Sequence, residues 1–133
     1  MLSTGVLTSG VLATSANAAA APKLVVTPST GLTNGKSVFV SGTGFKPKDQ
    51  VYITECLATA KGEAQCDINT ATPVTISATG VLKKTKFRLV TGKIGSGKCG
   101  TTAANLHSCA VSVGNIAGKD TASKAIVFAL PKK

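Results

Sequence analysis

The stretch Ser37-Val38-Phe39-Val40-Ser41-Gly42-Thr43-Gly44-Phe45-Lys46-Pro47-Lys48-Asp49-Gln50-Val51-Tyr52-Ile53-Thr54 decides the fold class. Val38 and Val40 stand two residues apart, as do Val51 and Ile53, and Lys46-Pro47-Lys48-Asp49 lies between the pairs. Apolar side chains at a spacing of two fall on one face of an extended strand. A helix would need them three or four apart. Proline presets one turn dihedral and aspartate tolerates the tight backbone that follows. The stretch therefore predicts strand, turn, strand.

The same period recurs outward along the chain. Phe87 and Leu89, Val111 and Val113, and Ile126, Phe128 and Leu130 are each two apart, and with the first two pairs they form the predicted core. Strands are expected at Lys23–Thr27, Ser37–Gly42, Gln50–Leu57, Pro73–Ala78, Thr85–Val90, Cys109–Gly114 and Lys124–Leu130. Asn34-Gly35 and Thr79-Gly80 supply turns between them. The glycine-rich Gly92 to Asn105 reads as a loop pinned by Cys99, and its Gly95-Ser96-Gly97-Lys98 lacks the full spacing and the flanks of a phosphate-binding loop. With no sustained helical period, the pattern is all-β: a seven-stranded, immunoglobulin-like antiparallel β-sandwich.

A chain of 133 residues with 43% hydrophobic content has room for one such core. Only 4% of its residues are aromatic and none is tryptophan, so the core is built from small aliphatic side chains and needs covalent help. Met1 to Pro22 carries no charged side chain and runs from Val6, Leu7, Val11 and Leu12 into Ala16-Asn17-Ala18-Ala19-Ala20-Ala21. An apolar segment leading into small residues is the pattern of a signal peptide. Residues 1–20 are expected to be removed on export, leaving a secreted domain of residues 21–133. Thr, Ser, Gly and Asn interrupt the segment before it reaches the ~20 apolar residues of a membrane span.

Four cysteines, Cys56, Cys66, Cys99 and Cys109, form two C-x9-C couples, and an even number in a small exported domain points to disulfides. Three pairings are possible. The local one would close two short loops, each worth roughly 3 kcal/mol on the chain-entropy model. The spacing does not match the C-x2-4-C of zinc sites, and His107 is the single histidine.

The net charge is +10. Lys84, Lys86 and Arg88 alternate with Phe87 and Leu89 and so make a basic stripe on the solvent face of their strand. Lysines there discourage edge-to-edge pairing. The same stripe, with Lys132 and Lys133, could hold DNA or anionic envelope polymers weakly and in a salt-sensitive way. With one Arg, one Tyr and no Trp, the chain has little for reading or stacking bases. Asp49, Glu55, Glu63, Asp67 and Asp120 are scattered, and neighbouring His107 and Ser108 would point to opposite faces of an extended segment. No catalytic set or metal site is expected.

Val26-Thr27-Pro28-Ser29-Thr30-Gly31-Leu32-Thr33-Asn34-Gly35 is followed by Val40-Ser41-Gly42-Thr43-Gly44-Phe45, by Cys56 and Cys66, by Cys99-Gly100-Thr101-Thr102-Ala103-Ala104, and by Cys109-Ala110-Val111-Ser112-Val113-Gly114-Asn115-Ile116-Ala117-Gly118. This ordered set resembles the neocarzinostatin family of enediyne-antibiotic apoproteins. The resemblance implies a seven-stranded sandwich secreted by actinomycetes, with both disulfides local. It also implies a cleft holding a small hydrophobic, non-covalently bound chromophore whose released form is antibacterial and cuts DNA. By position, Ala58, Ala64, Ala110, Ser112 and Gly114 would line that cleft. Several of these positions carry alanine where family members carry aromatic or amide side chains. The hairpin between Val90 and Cys99 is shorter, the second disulfide loop longer, and the chain basic rather than acidic. A monomer without further cofactor is expected.

Overall fold

The computed structural model describes residues 21–59 and 65–131; the expected leader, Ala64, Lys132 and Lys133 lie outside them. Along the chain come β1 (Lys23–Thr27), β2 (Ser37–Thr43), β3 (Gln50–Leu57), β4 (Cys66–Thr75), β5 (Leu82–Arg88), β6 (Gly92–Ile94), β7 (Gly97–Cys99), β8 (Cys109–Gly114) and β9 (Ala122–Ala125). One sheet runs β1-β2-β5 and the other β4-β3-β8-β9, while β6 and β7 form a separate hairpin. All these pairings are antiparallel.

Alternation explains how the two larger sheets meet. Val26, Val38, Val40 and Phe87 point inward from the first, and Val51, Ile53, Val111 and Val113 from the second, into one buried cluster. Phe45, Phe87 and Phe128 are buried in it, while Phe39 is 42% exposed. Cys56 is bonded to Cys66 and Cys99 to Cys109. The first bridge joins β3 to β4 where Cys56 and Cys66 stand opposite each other. The second ties β7 to β8, with both cysteines fully buried.

Seven strands make the sandwich, as expected, but three segments differ. The fourth strand begins at Cys66 rather than Pro73 and ends at Thr75. Its Asp, Asn and Pro residues disguise it, yet β4 is a sheet edge, where proline leaves no ladder bond broken. The segment from Gly92 to Asn105 is not a simple loop. It holds the β6–β7 hairpin and a 3-10 turn at Ala103–Asn105, because Ile94 and Cys99 bury their side chains on the core. Gly100 makes this packing possible: its φ is +71°, and a Cβ there would stand 2.8 Å from Cγ of Phe128.

The third difference is at the C-terminus, where β9 covers Ala122–Ala125 and the chain then changes partner. The Val127 amide donates to the Ser29 carbonyl at 2.9 Å, and the Ala129 amide to the Leu32 carbonyl at 2.8 Å. Ile126 and Phe128 remain in the core, but Leu130, predicted to join them, is 59% exposed. Replacing Leu130 by alanine is accordingly expected to change the unfolding free energy by less than about 0.5 kcal/mol. A denaturant titration showing a loss of about 2 kcal/mol or more would mean that Leu130 is a core residue.

Candidate functional site

The outward face of the four-stranded sheet is built from the alternate positions that the core does not use. Tyr52 on β3 stands opposite Gly114 on β8, and Thr54 opposite Ser112. Ser112 in turn stands opposite Ser123 on β9, with their hydroxyls 3.4 Å apart. These short side chains form the floor of a cleft of about 730 Å³. Gly114 keeps the floor open, since a Cβ there would lie 3.1 Å from Cγ2 of Thr121.

Two walls rise from irregular segments. On β4 the register slips between Ile53 and Glu55 of β3, which pair with Thr72 and Asp67. The slack is taken up by a turn in which Asp67 accepts the Asn69 amide at 3.2 Å and the Thr70 hydroxyl at 2.8 Å. Ile68 in that turn borders the cleft and is 71% exposed. The second wall is the connection from β8 to β9, where Ile116 borders the cleft and is 82% exposed.

Asn115 holds that second wall in place. Its Oδ1 accepts the Lys119 amide at 2.9 Å and its Nδ2 donates to Oδ2 of Asp49 at 3.0 Å. The Asn115 bond is the main reason the Asp49 carboxyl is held below the usual carboxylate range. Asp120, whose two oxygens accept the Lys46 amide at 3.1 Å, is pushed upward, first by burial. At the other end of the cleft the Cys56–Cys66 bridge borders it, and the Ala58 amide donates to the Ser108 carbonyl at 2.7 Å, linking the two disulfide loops.

Of the residues expected to line the cleft, Ala58, Ser112 and Gly114 border it. Ala110 does not: it is 4% exposed, one rung further along β8 beside Cys56. Ala64 lies outside the described residues. Tyr52 and Thr54 could have been read from the parity of β3, which sends Val51 and Ile53 inward. Ile68 and Ile116 carry no such signal, because both stand where period two is broken.

On the inward side of β3, directly behind the floor, Glu55 is fully buried. One carboxyl oxygen accepts the Val90 amide at 2.8 Å, and the other has no hydrogen-bond partner among the described residues. Burial pushes this carboxyl up to about 7, with the Val90 bond opposing and the nearby Asp67 charge adding. Glu55 faces the core and does not border the cleft. His107 is exposed, and Ser96 is held in the β6–β7 turn by Oε1 of Gln65, which accepts both its amide and its hydroxyl at 2.9 Å. Lys84, Lys86 and Arg88 are exposed on β5, in the sheet opposite the cleft.

Comparison with known proteins places this arrangement. A model of the neocarzinostatin family matches residues 24–128. Over 114 residues the chain is 36% identical to macromomycin of Streptomyces macromomyceticus, covering 82% of this chain and 78% of that protein. It is also 36% identical over 98 residues to the antitumor antibiotic C-1027 apoprotein of Streptomyces globisporus, covering 65% of this chain and 66% of that one. A solved structure of macromomycin is similar with a TM-score of 0.63 and 32% identity, covering 82% of this chain and 100% of the other.

Proposed function

Because the chain belongs to the neocarzinostatin family, we propose that it is a secreted, non-catalytic carrier that holds a small hydrophobic guest without a covalent bond. The guest is an antibiotic of the enediyne kind, shielded from water until release, and any action on DNA belongs to the guest. The observation that carries this reading is the cleft itself. Two isoleucines, 71% and 82% exposed, border it together with a floor of glycine and hydroxyl-bearing residues. Apolar side chains left in water around a concavity mark a ligand site, and a volume near 730 Å³ suits one drug-sized molecule. The few floor hydroxyls would orient the guest, while Tyr52 is the one aromatic side chain bordering the cleft among the described residues. Aliphatic contact therefore replaces aromatic stacking as the main source of affinity.

Native mass spectrometry of the oxidised protein from its producing culture should reveal a co-purifying molecule that organic solvent releases. In a second measurement the recombinant protein should bind the neutral dye Nile red, and Ser112→Phe, which fills the middle of the floor, should weaken that binding at least about ten-fold, equivalent to 1.4 kcal/mol. A clean apoprotein that also fails to bind Nile red would remove the carrier reading.

A further inference from the structure

Charge is divided unevenly between the two sheets. β1, β2 and β5 hold Lys23, Lys83, Lys84, Lys86 and Arg88 and no carboxylate, whereas the cleft-bearing sheet holds Glu55 and Asp67 against Lys124. The outward face of the cationic sheet also exposes two apolar side chains, Val25 at 55% and Phe39 at 42%. They are diagonal neighbours: Val25 stands opposite Ser41, and Phe39 opposite Thr27. Lys86 pairs with Phe39 from the other side, and the Lys84 ammonium sits 4.7 Å from the centre of its ring.

Lysines on β5 can be explained as guards of a sheet edge. That account covers all of these cations, Lys23 on the other edge strand β1 included, but it does not explain why valine and phenylalanine stay exposed among them. A polyanionic polymer would use the cations and leave the apolar pair in water. A surface that offers both phosphates and hydrocarbon uses all of these groups at once.

From this juxtaposition we propose that the outer face of the β1-β2-β5 sheet docks on an anionic phospholipid surface, Val25 and Phe39 entering the interface while Lys23, Lys84, Lys86 and Arg88 meet the headgroup phosphates. The cleft lies on the outer face of the opposite sheet, so docking leaves its mouth turned toward solvent. The inference does not depend on whether the cleft holds a guest.

The test is co-sedimentation of the full mature chain with vesicles of mixed phosphatidylglycerol and phosphatidylcholine at about 0.15 M salt. Binding is expected to those vesicles and not to phosphatidylcholine alone. The triple variant Lys84→Gln, Lys86→Gln, Arg88→Gln should lower partitioning roughly a hundred-fold, each cation near such a surface contributing about five-fold. The double variant Val25→Ser, Phe39→Ser should lower vesicle partitioning by about ten-fold or more, while its weak association with duplex DNA at low salt stays unchanged. Unchanged thermal unfolding and far-ultraviolet circular dichroism serve as folding controls, since all five positions are exposed and remote from the cleft. If the wild-type protein does not bind the anionic vesicles, or if the apolar double variant binds vesicles and DNA as the wild type does, the face is not a lipid-docking surface. The second outcome would assign it to polymers instead.

Discussion

Replacing Cys99 and Cys109 together by alanine is expected to lower the unfolding free energy by about 4 kcal/mol, more than the same change at Cys56 and Cys66. Both bridges span a sequence separation of 10, so the chain-entropy model assigns each of them roughly 3 kcal/mol. The difference comes from packing. Cys99 and Cys109 are both fully buried in the cluster that contains Ile94 and Phe128, so removing the sulfur atoms leaves space that the core must close. Cys56 is buried too, but Cys66 is only half-buried, neither belongs to that cluster, and both border the cleft, so less of the core has to close. For a domain of this size a loss of about 4 kcal/mol is a large part of the total stability and shifts the midpoint by roughly 15–30 °C. Thermal unfolding followed by circular dichroism of both double variants decides the matter. Equal losses would mean that the buried position of the second bridge contributes nothing.

Stability should also fall as the pH rises, by about 3 kcal/mol in all, and Glu55 should be the cause. In the folded chain its carboxyl is raised from 4.5 to about 7, first by burial. The folded state then keeps a proton that the unfolded state has released, so the unfolded chain is favoured progressively between those values. The contribution is fully present below about 4.5 and is lost as the pH rises through about 7. The gap is worth about 3 kcal/mol at 1.36 kcal/mol for each pKa unit. Glu55→Gln preserves the acceptor for the Val90 amide and removes the charge. Urea titrations at several pH values should therefore show a stability that declines more steeply for the wild type than for the variant, by about 3 kcal/mol across that range. Asp120 is raised as well, and because it is present in both proteins the comparison isolates Glu55. A slope as steep in Glu55→Gln as in the wild type would place the linkage elsewhere.

Much of this was legible from residues alone. Val38 with Val40, Val51 with Ile53, Phe87 with Leu89 and Val111 with Val113 all point into the core, because one buried face of a strand imposes a period of two that nothing local can imitate. The parity of β3 that sends Val51 and Ile53 inward sends Glu55 inward too. The reading of its carboxylates as scattered overlooked that parity.

Composition, the C-x9-C couples and strand alternation thus determined an all-β sandwich, while the resemblance to a known family pointed to Ser112 and Gly114 as cleft residues. Period, parity and loop length are properties of the chain itself. The tertiary structure decided the rest, because the deciding interactions join segments with no common period. The Asp67 turn brings Ile68 to the cleft, Asn115 anchors the segment of Ile116 to Asp49, and the floor is drawn from three strands. The last residues leave β8 for the backbone of Ser29 and Leu32, which buries Phe128 and exposes Leu130. Only the way the sheets are assembled gathers the cations with Val25 and Phe39 on one outer face and the cleft on the other.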